Sequence, residues 1–312
     1  MPSAENAVTW SYATTVIRGD GEFTFIGPQL TSNDQIRMRC VFRGDGKPAR
    51  FLVSGQTIEA VAENITEHEL RGMTSIGIDG ITVRHTEHIL SALYGMNALD
   101  TDIHLEFCDT VEQTTEISVP VSNLNSRDFV NAIVDCFPDI LRRKSNSIVH
   151  IDVPKYYRED PNDPTSAFAI FAPLHKLHIT AHIDFPFFWG QQIYAQEINP
   201  IDYAKSIAWA RSFFGSPYPH KSDWAAIRKR FPGLVRERIN HARSIMLDFS
   251  ARGWITPPIV NTEPVRHKML DFIGDLALIG RPLTASIYIF KPSHKFNREC
   301  VRQLRHELLD AY

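Results

Sequence analysis

The sequence predicts an α+β protein of two similar units, each a β-sheet packed against a layer of helices, with the functional site between them. Three observations predict this. Short β-rich runs separated by turn signals open each half, apolar residues recur at helical spacing later in each half, and the polar break Arg142-Arg143-Lys144-Ser145-Asn146-Ser147 parts two stretches of domain size. An N-terminal α+β domain is therefore expected at 1–145, and a C-terminal α+β domain at 146–312.

In the first half, residues 14–17, 23–26 and 36–42 are extended runs punctuated by Gly19-Asp20-Gly21 and Gly44-Asp45-Gly46. These glycines fit neither Gly-x4-Gly-Lys-Ser/Thr nor Gly-x-Gly-x2-Gly, so they read as turns rather than a phosphate cradle. Residues 57–72 read as a helix and 76–78 as extended. After Asp79-Gly80, an extended run passes into a helix with Ile89, Leu90, Leu93 and Met96 at core spacing. Thr86 is the expected N-cap, which leaves Glu87 and His88 in the first turn, where an acidic residue suits the helix dipole. Residues 102–107 alternate as a strand, and 127–141 read as a helix.

In the second half, residues 148–153, 167–171 and 177–183 are expected strands, divided by Asp160-Pro161-Asn162-Asp163-Pro164 and Ala172-Pro173. Residues 202–214 read as one helix and 224–250 as two, broken at Phe231-Pro232-Gly233. Residues 266–276 form an amphipathic helix: His267, Asp271 and Asp275 stack on one side, and Met269, Phe272, Ile273 and Leu276 cover the other. Gly280-Arg281-Pro282 stops it, residues 285–290 form a last strand, and a C-terminal helix runs through Leu309.

The chain has 312 residues, 43% hydrophobic and 22% charged, with a formal charge of −3. That describes an ordinary globular protein and gives no reason to expect a nucleic-acid partner. Cys40, Cys108, Cys136 and Cys300 form no Cys-x2-Cys pair, which argues against a cysteine zinc site or a disulfide framework and suits a reducing cytoplasm. Residues 1–10 lack a basic segment followed by an apolar run, and no apolar stretch approaches the ~20 residues that span a bilayer. The expectation is a cytoplasmic protein with no transmembrane segment; the oligomeric state is not legible.

The chemistry lies in a few short segments. An imidazole and a carboxylate one helical turn apart, as His267 and Asp271 are, can close on one cation from the same side. His88 can add a third ligand from the first half, and Glu87 beside it can take a proton from water. Lys268 can offset developing negative charge, and His294, after the last strand, can protonate a leaving amine. Together these are the parts of a zinc hydrolase: three protein ligands, an open position, a base and charge stabilisers.

These segments resemble the zinc-dependent UDP-3-O-acyl-N-acetylglucosamine deacetylases, which remove acetate from an N-acetylated sugar nucleotide in lipid A assembly. The resemblance lies in Val265-Arg266-His267-Lys268-Met269-Leu270-Asp271-Phe272-Ile273-Gly274-Asp275-Leu276 and in Thr86-Glu87-His88-Ile89-Leu90-Ser91-Ala92-Leu93. Ala210-Arg211-Ser212-Phe213 and Lys291-Pro292-Ser293-His294-Lys295-Phe296-Asn297 are similar to two further family segments, in family order. The resemblance implies that His88, His267 and Asp271 bind Zn²⁺ and that Glu87 is the general base. It further implies that Lys268 and Ser212 assist at the oxyanion, and that His294, oriented by Asp275, is the electrostatic catalyst or general acid. Phe213 and Lys291 would contact substrate. The implied fold is two similar α+β domains with the site between them.

Some substrate-shaping segments depart from the family. Gly21-Glu22-Phe23-Thr24-Phe25-Ile26-Gly27 stands near the family's Gly-Leu-His-Ser/Thr-Gly, Val121-Ser122-Asn123-Leu124-Asn125-Ser126 replaces its Asp-Gly-Ser stretch, and residues 218–258 lack its Gly-rich acyl-chain passage. The expected function is removal of an acetyl or similar acyl group from an N-acylated amino sugar, possibly a sugar nucleotide. A different hydrolytic or lyase reaction on the same metal site, and a non-catalytic binding protein on the same fold, are the alternatives. His85, His175, His178 and His182 have no partner motif and read as structural or surface groups.

Overall fold

The structure, a computed structural model, describes residues 15–19, 21–30, 32, 34–67, 72–109, 115–120, 124–143, 147–185, 190–214, 245–248, 254–256 and 258–309. It is an α+β fold organised around two large mixed sheets. The first sheet contains β1 (Thr15–Gly19), β2 (Glu22–Pro28), β3 (Gln35–Phe42), β4 (Arg50–Val53), β5 (Gln56–Glu59) and, later in the chain, a strand over Thr101–Phe107. A short sheet beside it begins with β6 (Ser75–Ile78) and β7 (Ile81–Arg84), and helix α1 (Glu87–Gly95) follows. The Thr101–Phe107 strand is β8, β9 (Glu116–Ser118) completes the short sheet, and α2 is Arg127–Cys136. The large sheet runs β1-β2-β3-β8-β4-β5, antiparallel throughout except for the parallel β4–β8 pair.

The second half repeats this plan. Its strands are β10 (Val149–His150), β11 (Lys155–Arg158), β12 (Phe168–Ala172), β13 (Leu177–Asp184) and β14 (Gln191–Glu197), followed by α3 (Pro200–Ser206). Three short strands come next, β15 (Ser212–Phe214), β16 (Ile245–Asp248) and β17 (Trp254–Thr256). Helix α4 (Glu263–Leu276), strand β18 (Leu283–Phe290) and helix α5 (His294–Leu309) complete the chain. The second large sheet is β11-β12-β18-β13-β14, with β13 parallel to β18 and β10 pairing with β18. Each half therefore has a large mixed sheet and a three-stranded satellite, β6-β7-β9 in the first and β15-β16-β17 in the second.

Period-2 patterning drives the sheets. In β13 the residues Leu177, Ile179, Ala181 and Ile183 are buried while their neighbours are half-buried, as a strand with one covered face requires. The covered faces look inward on α1 and α4, which pack on each other at the centre of one continuous apolar core. Gly274 makes that crossing possible, since a Cβ there would lie 2.1 Å from the Glu87 carbonyl oxygen.

Several elements differ from the sequence expectation. Residues 57–72 hold no α-helix among those described: Gln56–Glu59 is β5, and Ala62–Asn64 is a single 3₁₀ turn. The strand wins because Ile58 is fully buried in the sheet, pairing with Phe51. The expected 202–214 helix stops at Ser206, and Ser212–Phe214 pairs with Ile245–Asp248 instead. The two helices expected over 224–250 lie outside the described residues except at 245–248, which are extended. Pro138 ends α2 early, and a 3₁₀ turn continues to Arg142. Thr86 stands at the N-cap position of α1 as expected, but its side chain makes no capping bond; its hydroxyl donates to the Thr74 carbonyl at 3.2 Å.

Among the described residues, no helix is long and apolar enough to cross a membrane. A cleft of about 590 Å³ lies against the outer face of the first sheet, beside Arg37, Arg39, Gln56 and His104. It takes no part in the site described next.

Candidate metal centre

Helix α4 is buried along its whole length except at Arg266. Its polar stripe is therefore not the solvated side of an amphipathic helix but an inward-facing row. His267 and Asp271 are each 3% exposed and Asp275 is fully buried, so each needs a partner inside the protein. The first turn of α1 meets this row across the contact at Gly274, bringing in His88.

One ligand atom each from His88, His267 and Asp271 lies within 4.8 Å of the others. His88 Nε2 is 3.6 Å and His267 Nε2 3.3 Å from Asp271 Oδ1. His267 Nδ1 lies 3.0 Å from the Ala210 carbonyl, which fixes Nδ1 as the protonated nitrogen and leaves the Nε2 lone pair facing the cluster. Asp271 Oδ1 is buried and has no hydrogen-bond partner, whereas Oδ2 accepts from Lys268 Nζ at 2.8 Å. A buried carboxylate oxygen without a donor, faced by two imidazole nitrogens, is the donor set of a three-ligand metal site.

Protonation states follow from burial and neighbours. Burial pushes the His267 imidazole down to about 4, so the ring is a neutral donor at physiological pH. For Asp271, burial acts upward, but His267, Lys268 and His294 outweigh it and hold the carboxyl well below its usual range. Burial raises the Glu87 carboxyl, against an opposing pull from His294 and His88. For His294, burial acts downward, yet Asp271 and Asp275 prevail and push the imidazolium up to about 10.

The groups expected to move protons are held by a network that crosses the two halves. His294 Nδ1 lies 3.2 Å from Asp275 Oδ2, and its Nε2 lies 3.5 Å from Asp271 Oδ2. Asp275 also accepts from Asn297 Nδ2 at 2.9 Å and from Thr74 Oγ1 at 2.5 Å. Thr74 uses its backbone as well, its N–H donating to Glu87 Oε2 at 3.0 Å. One first-half threonine thus touches both the carboxylate of Glu87 and the dyad of Asp275 and His294. Isolated in the sequence, Thr74 carries no motif that could have singled it out; Asn297 lies three residues after His294, a spacing that puts it on the same side of α5.

Phe213 enters beside His267, and Ser212 precedes it on β15, its backbone N–H donating to the Leu124 carbonyl at 3.2 Å. The Phe213 ring centroid is 6.2 Å from that of His267, and Phe185 packs edge-on against Phe213 at 5.5 Å. Their strand is anchored by a buried ion pair: Arg211 Nε and Nη2 donate to Glu263 at 2.7 and 2.8 Å, and the Arg211 backbone N–H joins at 3.1 Å. Glu263 begins α4, so this pair fixes the start of the metal helix to the strand holding Ser212. The Lys291 ammonium is 3.1 Å from the Thr165 carbonyl and 3.3 Å from Asp184.

A sequence profile of the UDP-3-O-acyl N-acetylglycosamine deacetylase family matches residues 20–306, nearly the whole chain. The chain belongs to this family. It is 30% identical to the UDP-3-O-acyl-N-acetylglucosamine deacetylase of Thermosynechococcus vestitus over 82% of this chain and 80% of that protein. The enzyme of the same name from Synechocystis sp. is 28% identical, with coverage of 77% and 78% respectively. A probable mitochondrial UDP-3-O-acyl-N-acetylglucosamine deacetylase of Arabidopsis thaliana is 27% identical, covering 74% and 70%. The family is one of hydrolases, so membership makes this chain a deacetylase by class, on an α+β fold of two similar domains.

Proposed function

We propose that this deacetylase is zinc-dependent and removes an acetyl or similar acyl group from an N-acylated amino sugar carried on UDP. The observation that carries the reading is the convergence of His88, His267 and Asp271, with Asp271 Oδ1 buried and unpartnered. Two imidazoles and a carboxylate are a common zinc donor set, and the open remainder of the coordination sphere is what a hydrolytic site needs. The relatives, by name deacetylases of UDP-3-O-acyl-N-acetylglucosamine, supply the substrate class.

Zinc, when bound, supplies Lewis acidity that makes water acidic and polarises an amide carbonyl. The chain's own residues do the rest. Glu87, raised by burial, accepts the proton of the attacking water. Lys268 Nζ and the Ser212 hydroxyl donate to the oxygen on which negative charge develops. His294 begins as imidazolium and gives its Nε2 proton to the departing amine, while Asp275 keeps its Nδ1–H aligned. Phe213 and Lys291 are assigned to substrate contact. The division into domains at 145/146 belongs to the same reading, since the two large sheets draw their strands from either side of it.

The test is direct. Zinc-loaded protein incubated with UDP-3-O-acyl-N-acetylglucosamine and with simpler N-acetylated sugar nucleotides should release acetate and leave a free amine. Zinc-replete protein that releases acetate from none of them would refute the reading.

A further inference from the structure

The two imidazoles expected on one zinc ion are held in different ways. His267 gives its second nitrogen to the Ala210 carbonyl. His88 turns Nε2 toward Asp271, but among the described residues nothing hydrogen-bonds its Nδ1. A metal-ligating histidine almost always donates that second N–H to a carboxylate, a carbonyl or a water, and the partner sets ring orientation and ligand basicity. Without one, His88 would be free to rotate about its side-chain bonds.

Beside His88 lies a cavity of about 20 Å³ bounded by His85, Asn125, Val119, Leu124 and Phe129. That is room for a single water. His85 is 9% exposed, and its Nδ1 is buried with no partner. Asn125 has one partner on each polar atom, its Oδ1 accepting from the Arg127 N–H at 3.0 Å and its Nδ2 donating to the Trp209 carbonyl at 3.3 Å. Of the side chains that line the cavity, His85 and His88 are the two with a ring nitrogen that has no partner among the described residues. His85 is also kept in place at a backbone φ of +58°, a region that side chains rarely adopt. Hydrogen bonds on either side pin it there, from Thr86 N to Thr74 O at 3.2 Å and from Val119 N to Arg84 O at 3.0 Å.

We propose that His85 is a positioning residue for the metal ligand His88, acting through one water in this cavity that accepts from His88 Nδ1–H and donates to His85 Nδ1. The water completes for His88 what the Ala210 carbonyl does for His267. This inference rests on the zinc reading above but is read out by metal affinity rather than by turnover.

The experiment measures the zinc dissociation constant of the full chain by chelator competition, together with the visible absorption of the Co²⁺-substituted protein. His85→Asn suits the positive φ but is too short to reach the water. Val119→Ile leaves both histidines intact and fills the cavity with one more methylene. Each should weaken zinc binding by roughly 10–100-fold and shift the Co²⁺ bands, and the double variant should be little worse than either alone. Wild-type zinc affinity and Co²⁺ bands in Val119→Ile overturn the proposal, whatever His85→Asn does; this arm also decides if His85→Asn fails to fold. Weakened zinc binding in both variants, in a protein that releases no acetate, would retain the His85 role and discard the deacetylation reading.

Discussion

Helices α1 and α4 both deliver groups to the candidate metal site, yet they do so by different physics. On α4, His267, Asp271 and Asp275 recur every four residues, so helical geometry alone aligns them and Lys268 falls beside them. On α1, Glu87 and His88 sit in the first turn, where no side chain caps the helix and the direction of each group depends on what packs against it. Thr74 supplies the donor for Glu87, and Gly274 supplies the space that lets the α1 backbone approach. One helix carries its half of the site as a pattern; the other has its half assembled around it.

The sharpest way to break that comparison is to remove the group on α1 that is expected to do chemistry without touching a ligand. Glu87→Gln should keep zinc bound while turnover falls by about 10²–10⁴-fold, the range for loss of a positioned general base. Metal analysis alongside steady-state rates checks it, and wild-type turnover would remove Glu87 from the mechanism. The next change attacks the anchoring of α4. Glu263→Gln takes the charge from the carboxylate that holds the buried Arg211 guanidinium, and breaking a buried ion pair typically costs about 3–5 kcal/mol. Thermal or urea denaturation should reveal that loss, with acetate release falling as the Ser212 strand loosens.

Seating the two helices against each other is the third target. Gly274→Ala puts a methyl against the Glu87 carbonyl, and because backbone cannot swing aside, overpacking should cost roughly 3 kcal/mol and reduce both zinc content and stability. An alanine variant as stable as the parent would mean the α1–α4 crossing is looser than the contact implies. The smallest effect is expected at Thr74. Thr74→Val removes the hydroxyl bond to Asp275 but keeps the backbone bond to Glu87, so kcat should fall about tenfold, equivalent to roughly 1.4 kcal/mol, with little change in KM. Thr74→Ser should restore most of it, which a role in packing alone would not produce.

How much was legible follows the same division. The α4 stripe, the Glu87-His88 pair and the strand-to-helix passage at His294 could be read directly, because each is a local pattern. That the helix is enclosed could not. A row of His and Asp on a helix suggests a polar outer side, whereas α4 is enclosed on nearly all sides and the row looks into the site. Residues 57–72 and 207–214 misled for a related reason. Helix propensity is a weak local preference: pairing Ile58 with Phe51 buries apolar surface that a helix there would leave uncovered, and Ser212–Phe214 instead pairs as a strand with Ile245–Asp248.

The order of residues alone determined the candidate ligand types, their helical spacing, the placing of Glu87 beside His88 and the two-part α+β plan, because these depend on periodicity and side-chain chemistry within a few turns. Only the tertiary structure decided that Thr74 touches both Glu87 and Asp275, that the Ala210 carbonyl meets His267, and that Arg211 and Glu263 lock strand to helix. Those contacts join residues tens to hundreds of positions apart. No local pattern specifies such partners; they are fixed when two sheets bury their apolar faces and force the helices between them into contact.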